Sequence, residues 1–158
     1  MTEPALHPDL EPVAFLLGRW TGEGKGHYPS IDPFFYAEEA VFSHYGKPVL
    51  LYLQRTRSLA DGSPLHSETG YWRPQPDGRT IEIVLTHAFG ATEMGTGTYD
   101  DRRVEIVSRA ITPTPTAKRI DEIRRVITIE GDEMTYEVGM AATGHTLQQH
   151  LAATLTRT

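Results

Sequence analysis

Ten short runs rich in β-branched and aromatic residues follow one another along the chain, and each is bounded by turn signals. Runs of this kind are typical of strands, and no helical periodicity persists beyond the first apolar repeat. The sequence therefore predicts ten strands, which cover residues 20–28, 34–45, 49–59, 65–73, 80–85, 92–99, 104–110, 120–129, 134–142 and 146–156.

The turns between these runs favour hairpins, since Asp61-Gly62, Gly131-Asp132 and similar pairs are typical of tight turns. Ten antiparallel strands laid flat would leave two unpaired edges, whereas closure removes them. We therefore predict an all-β fold, a ten-stranded antiparallel up-and-down β-barrel formed by one domain over residues 1–158. Spacing alone leaves a sandwich open. Because about eight strands already enclose a filled or ligand-sized lumen, ten predict a cavity.

Two local patterns refine this picture. A short N-terminal helix is expected over residues 12–17, where apolar residues repeat at helical spacing before Gly18. In the run 134–142 the even positions are apolar and predict the inward face, so Met140 becomes a candidate for the cavity wall. The inward face of the run 120–129 stays open.

The charge balance bears on possible partners. The chain has 158 residues with 15 Lys and Arg against 21 Asp and Glu, a net charge of −6, which disfavours nucleic-acid binding. Its one basic cluster, Lys118-Arg119 with Arg124-Arg125, is interrupted by acidic residues and is expected on a solvated strand face. No segment has the roughly 18 to 20 apolar residues of a membrane span, so we expect a cytoplasmic location.

The chain contains no cysteine, which excludes disulfides, iron–sulfur clusters and thiolate ligands. Motifs for a zinc protease, a phosphate-binding loop and a serine hydrolase are also missing. A cavity with scattered single histidines suits a ligand that carries its own reactivity, such as haem, which needs one axial ligand and an apolar slot. The seven histidines are His7, His27, His44, His66, His87, His145 and His150.

Five segments in a fixed order identify a family that the sequence resembles over nearly its whole length. They are Leu17 to Gly24, with the pattern Gly-x-Trp-x-Gly-x-Gly; Gly26 to Ile31 with Pro33-Phe34; Phe42 to Pro48; Leu65 to Tyr71; and Leu147 to Leu151. Together they resemble the nitrobindins, whose barrel is similar in outline to that of fatty-acid-binding proteins.

The resemblance implies one haem b per chain, with ferric iron in air. It also implies nitric oxide binding and the isomerisation of peroxynitrite to nitrate, in detoxification or sensing of reactive nitrogen species. His150 falls on the family's proximal iron ligand. Ser30, where many members have Thr, and Lys118 are carried over as contacts of the haem edge. Sensing would need a separate output protein.

Several residues have two interpretations. The motif residues Gly18, Trp20, Gly22 and Gly24 form either a haem cradle or a packing motif in which glycine admits close backbone approach and Trp plugs the barrel. His66 is either a distal group facing the ligand or a packed histidine paired with a neighbour such as Glu68. Met140 is a haem contact or core filler.

The position of His150 conflicts with simple strand alternation. On a regular strand it shares a face with Gln148 and Ala152, opposite to Leu151 and Leu155. Either the leucines pack under the N-terminal helix or a bulge redirects the histidine. Both solutions are open at this point.

A second hypothesis makes the barrel a carrier of a fatty acid or another apolar molecule. That reading requires an Arg or a pair of Tyr inside the lumen to fix a carboxylate, with Arg125 as the candidate. Exposed barrel faces also leave a homodimer open.

Overall fold

The computed structural model describes residues 1–158 and contains ten strands preceded by one short helix. The 3-10 helix η1 spans Pro8–Leu16. The strands are β1 Gly18–Tyr28, β2 Ile31–Ser43, β3 Leu50–Ser58, β4 Pro64–Pro74, β5 Thr80–His87, β6 Ala91–Tyr99, β7 Arg103–Pro113, β8 Ile120–Glu130, β9 Glu133–Ala142 and β10 Gln148–Arg157.

All ten strands form one closed antiparallel barrel in which each strand pairs with its neighbours in sequence. The barrel closes where β1 pairs with β10, from Trp20 opposite Arg157 to Gly26 opposite Leu151. Closure leaves no unpaired edge. The prediction of a ten-stranded up-and-down barrel is confirmed, and the sandwich is wrong.

The N-terminal helix is present, but it begins at Pro8 and is a 3-10 helix rather than the segment expected at 12–17. His7 caps it, since its side chain accepts a hydrogen bond from the Asp9 amide at 3.2 Å. Leu10, Val13 and Leu16 are fully buried and close one end of the barrel. At nine residues, this helix is too short to cross a membrane.

Trp20 lies in the core at the closed end. Its indole Nε1 donates a hydrogen bond to the Leu16 carbonyl at 2.9 Å, and the Arg157 guanidinium stacks 4.3 Å from the ring centroid. Trp20 is fully buried and does not line the cavity described below. The packing interpretation of the Gly-x-Trp motif therefore holds for this residue.

The glycines of the motif allow close approach inside β1. A Cβ on Gly22 would overlap the Thr154 carbonyl and lie 2.8 Å from the Leu155 Cα, both on the neighbouring backbone. A Cβ on Gly24 would overlap the Tyr36 ring. Gly18 has a φ of +123°, in the region that favours glycine. Gly22 and Gly24 thus leave no room for a side chain, whereas Gly18 has a backbone conformation that other residues rarely adopt.

We expect Gly22→Ala to lower the free energy of unfolding by about 2 kcal/mol, because the added methyl group meets backbone that cannot rotate away. Gly139→Ala is the matched control, since a Cβ there lies 3.4 Å from the flexible Leu147 side chain. Urea denaturation measures both. Equal losses for the two variants would contradict the packing role of Gly22.

The inward side chains divide the lumen into an apolar half and an open half. In the half next to the helix, apolar side chains from the strands fill the lumen. Inward residues of this half include Trp20, Phe42, Leu50, Trp72, Ile81, Ile83, Val104, Ile106, Ile129 and Leu155. Beyond this plug the lumen is open, as the strand number predicts.

Candidate functional site

A cavity of about 770 Å³ occupies the half of the barrel away from the helix. That volume lies in the range of about 300 to 1,000 Å³ that is usual for small-molecule sites. Most of its lining is apolar and comes from eight of the ten strands, all except β6 and β7, together with residues of the hairpin loops. Its mouth lies among the hairpins β1–β2, β3–β4, β5–β6, β7–β8 and β9–β10, and the apolar wall includes Ile31, Phe34, Leu65, Phe89, Ile120, Met140 and Leu151.

A bulge in β10 directs His150 into this cavity. Gln149 pairs with Gly139 and Leu151 pairs with Val138, so His150 is an extra residue without a partner on β9. The bulge breaks the alternation, and both His150 and Leu151 line the cavity. The conflict seen in the sequence is resolved by the bulge, while Leu155 packs in the core near the helix.

Hydrogen bonding fixes the state of the His150 imidazole. Its Nδ1 lies 2.9 Å from the His27 carbonyl oxygen. A carbonyl only accepts, so Nδ1 carries the hydrogen and the lone pair is on Nε2, which has no hydrogen-bond partner in the protein. Burial lowers the pKa of His150 below its ordinary value, against a smaller opposing effect of the His27 carbonyl. The ring is therefore neutral and offers Nε2 as a ligand atom.

The other predicted contacts lie around the same cavity. Ser30 and Lys118 line it at the mouth and are exposed, on opposite hairpins. Met140 is a half-buried part of its wall. Tyr28 holds this region together: its hydroxyl accepts from the Ala142 amide at 2.9 Å, and its ring stands edge-on to His150 at 5.5 Å.

Between the cavity and the apolar plug lies a buried ion network that the sequence reading missed. The Arg125 guanidinium donates to Glu68 at 3.0 Å and to Glu93 at 2.6 Å. Arg125 is 8% exposed, so its expected place on a solvated strand face is wrong, and the place inside the lumen that the carrier hypothesis required is the one observed. On β8 its side chain points inward, together with Ile123 and Ile127.

Both acids of this network are ionised. Burial alone would raise the pKa values of Glu68 and Glu93, but the charge of Arg125 and hydrogen bonds from the neighbouring histidines outweigh it. The pKa of Glu68 is held far below its ordinary range, and that of Glu93 falls to about 2. Glu93 also accepts from the Ser108 hydroxyl at 2.5 Å. Two carboxylates thus face one guanidinium.

His66 joins this network at the cavity surface. Its Nε2 lies 3.3 Å from a Glu68 oxygen and 3.3 Å from Nδ1 of His87. The ring is half-buried and lines the cavity on β4, on the wall opposite β10. The sequence left His66 either as a group that faces the ligand or as a packed histidine paired with Glu68. In the structure it pairs with Glu68 and also faces the cavity.

A second buried acid behaves in the opposite way. Glu38 accepts from the Tyr136 hydroxyl, which in turn lies 2.7 Å from the Tyr36 hydroxyl. No cation pairs with it directly, so burial dominates and raises its pKa from 4.5 to about 7, against smaller opposing effects of hydrogen bonds from Tyr136 and Gln54. The cavity floor therefore holds a carboxyl group that is largely protonated in mildly acidic solution.

This raised pKa makes stability depend on pH. Because folded Glu38 keeps its proton up to about pH 7 while the unfolded chain loses it near 4.5, its contribution is complete below 4.5 and is lost as pH rises through 7. We expect Glu38→Gln to gain about 3 kcal/mol relative to wild type between pH 4.5 and 8. Glu39→Gln, with a lowered pKa beside Arg55 and Arg19, should show no such change above pH 5. Urea denaturation across this range measures both, and parallel curves for wild type and Glu38→Gln would contradict the assignment.

The one sequence signal for His87 and Glu93 is the alternation of inward and outward residues along their strands. His87 continues the inward face of β5, where it follows Ile81, Ile83 and Leu85 at every second position. Glu93 lies on the inward face of β6, between Ala91 and Gly95. That signal places them in the lumen, but it does not say that they meet Arg125 from β8.

The site as a whole defines a class of protein. One neutral imidazole with a free nitrogen faces an apolar cavity whose mouth carries a lysine and a serine. This donor set fits haem, which takes one axial histidine, an apolar slot and polar groups near its propionates. The fold and the site are those of a haem-binding β-barrel.

Comparison with known proteins gives the family. Residues 9–157 match the family model described as THAP4-like, heme-binding beta-barrel domain, and the chain belongs to this family. It is 51% identical over 156 residues to peroxynitrite isomerase 2 of Mycobacterium marinum and 52% identical over 157 residues to peroxynitrite isomerase 1 of Mycolicibacterium paratuberculosis, covering 96% of each chain in both cases. The crystal structure of Rv2717c from M. tuberculosis superimposes with a TM-score of 0.94 at 47% identity, over 98% of this chain and 99% of that one.

Proposed function

We propose that this protein is a haem-dependent peroxynitrite isomerase that converts peroxynitrite to nitrate. The observation that carries the proposal is the bulged His150, neutral and with its Nε2 free, in the wall of an apolar cavity. Relatives about half identical over nearly the whole chain bear the name of this activity, which supports the same chemistry here.

His150 would hold the iron through Nε2, while the His27 carbonyl keeps the proton on Nδ1 and fixes the ring plane. Haem, when bound, supplies an iron that accepts the substrate anion and weakens its O–O bond. The chain's own part is to orient the imidazole, to surround the macrocycle with apolar side chains and to keep a second haem away. Ser30 and Lys118 at the mouth would meet the propionates.

His66 stands on the wall opposite His150, where an anion in the cavity would lie between them. Its Nε2 faces Glu68 and His87, and its Nδ1 has no hydrogen-bond partner in the protein. We assign His66 the role of a distal polar group that orients the bound anion. No residue is assigned as a general acid.

We further propose haem b as the cofactor, as the resemblance to the nitrobindins implies. One group per chain is expected, because His150 is the one cavity histidine that lies in a strand bulge with its Nε2 free. Peroxynitrite is the substrate in this proposal. Nitric oxide as a second ligand, a homodimer and a cytoplasmic location stay predictions from the sequence.

The carrier hypothesis is weakened by the state of Arg125. A fatty-acid carboxylate needs a free Arg or a free pair of Tyr in the lumen, but the guanidinium already donates to Glu68 and Glu93. The pair of tyrosines in the cavity is also occupied, since the Tyr36 and Tyr136 hydroxyls bond to each other and Tyr136 donates to Glu38. An incoming carboxylate would have to displace one of these buried partners and leave its charge unpaired, at a cost of about 3 to 5 kcal/mol.

We expect His150→Ala to lose the Soret band that wild type develops on titration with haemin, because the cavity then has no axial nitrogen from the bulge. His27→Ala is the matched control: its exposed ring is removed, but the carbonyl that fixes His150 remains. Visible absorption measures both variants. A His150→Ala protein with the wild-type spectrum and affinity would rule out the ligand assignment.

The activity has its own test. Haemin-loaded wild type should speed peroxynitrite decay, raise the nitrate yield and protect free tyrosine from nitration, and loaded His150→Ala should do none of these. Stopped-flow absorbance and nitrate analysis measure the effect. Decay that follows free haemin alone, with no dependence on the protein, would overturn the proposed function.

A further inference from the structure

A second set of ligand atoms converges on the wall across the lumen from His150. His66 and Glu68 come from β4 and His87 from the neighbouring β5, where Glu68 and His87 are directly paired in register. Their nitrogen and oxygen atoms form a nearly equilateral triangle. The sides are 3.3 Å from His66 Nε2 to Glu68 Oε2, 3.2 Å from His87 Nδ1 to Glu68 Oε2, and 3.3 Å between the two nitrogens.

These lengths match one face of a tetrahedral metal site. Zinc bonds to imidazole nitrogen and carboxylate oxygen at about 2.0 to 2.1 Å, which sets neighbouring ligand atoms about 3.3 Å apart at the tetrahedral angle. Octahedral sites with bonds of that length would need sides nearer to about 3.0 Å. The three ligand atoms therefore lie at the spacing of one face of a tetrahedral site.

Hydrogen bonds and a metal ion are alternative ways to satisfy this triangle. The carboxylate oxygen of Glu68 only accepts, and each ring nitrogen brings at most one hydrogen. With a hydrogen on both nitrogens, each nitrogen donates to Glu68 and the two nitrogens make no bond to each other. When both nitrogens carry lone pairs instead, a single cation just outside the plane of the triangle can be bonded by all three atoms.

The surroundings supply the outer contacts that metal ligands normally have. His87 uses its other nitrogen, Nε2, to reach Glu93 Oε1 at 2.8 Å, so that in the neutral ring Nδ1 offers its lone pair to the cation. Glu68 is held through its other oxygen by the Tyr52 hydroxyl and by Arg125, both at 3.0 Å. Carboxylate–histidine pairs of this kind orient the ring and raise its basicity.

The charge balance also favours a cation. Two acidic side chains, Glu68 and Glu93, face the single guanidinium of Arg125 here, so the acidic groups outnumber the arginine by one. His66, Glu68 and His87 all line the cavity, and His66 is half-buried, so an ion held by them is within reach of molecules in the cavity.

We propose that His66, Glu68 and His87 form a site for a divalent first-row transition ion of the zinc type, with the fourth position open to water or to an anion in the cavity. Two imidazoles and one carboxylate suit Zn²⁺, Co²⁺ and Fe²⁺. This site is distinct from His150 and places a second positive centre on the opposite wall of the same cavity.

Titration of the full chain, prepared without added haemin, with Co²⁺ tests the proposal. We expect one equivalent to bind with the intense visible bands of a tetrahedral ion, and Zn²⁺ to displace it. His66→Ala, at a half-buried position, and His87→Gln, which keeps an amide at the buried one, should each lower the affinity at least tenfold. Circular dichroism and thermal unfolding check that the variants are folded.

Two controls separate this site from the haem site. His27→Ala removes an exposed ring, and His150→Ala removes the proposed iron ligand; both should bind Co²⁺ as wild type does. Three results would overturn the proposal: no saturable binding, a weak six-coordinate spectrum, or an affinity that follows His150 rather than His66 and His87. In those cases hydrogen bonds alone hold His66, Glu68 and His87 together. Haemin titration of His150→Ala is a separate measurement, so either proposal can fail alone.

Discussion

Closure of the sheet through β1 and β10 is the constraint on which the rest of the structure depends. The pairing from Trp20–Arg157 to Gly26–Leu151 removes both edges and creates an inside, so that every second residue of ten strands faces a shared lumen. Closure brings the backbones of β1 and β10 close together, which explains the glycines of β1, since Gly22 lies against the backbone of β10. Immediately beyond this seam β10 leaves its regular register, and the bulge there turns His150 inward.

The lumen is divided by chemistry as well as by shape. Near the helix it is an apolar plug; beyond it lies a belt of charges in which Arg125 holds Glu68 and Glu93, and above that is the cavity. A buried ion network of this kind contributes little net stability, because desolvation offsets much of the attraction. It does fix positions: Glu93 holds His87, and Glu68 pairs directly with both His87 and His66 on the wall opposite His150. The charged groups therefore lie on one side of the cavity and His150 on the other.

Much of the fold was predictable from the sequence, for identifiable reasons. Turn residues at regular spacing mark the strands, and the inward faces of β5 and β9 alternate clearly enough to be read directly. The residues of the site were less accessible. His150 was recognised through its segment rather than its face, because a single extra residue in one strand leaves no mark in periodicity. Arg125 had two predicted places, because its charged neighbours indicated a solvated face while a carboxylate carrier required it in the lumen, and β8 turns it inward.

The sequence by itself determined that this chain closes ten strands into a barrel with a cavity, that it has no thiolate chemistry, and that its segments are those of a haem-binding family. Only the tertiary structure decided which side chains meet. Glu68, His87, Glu93 and Arg125 lie on four strands, and three of these strands follow one another while β8 is two places further round the barrel. Their contacts depend on curvature and register across the lumen, quantities that arise only when all ten strands are paired at once.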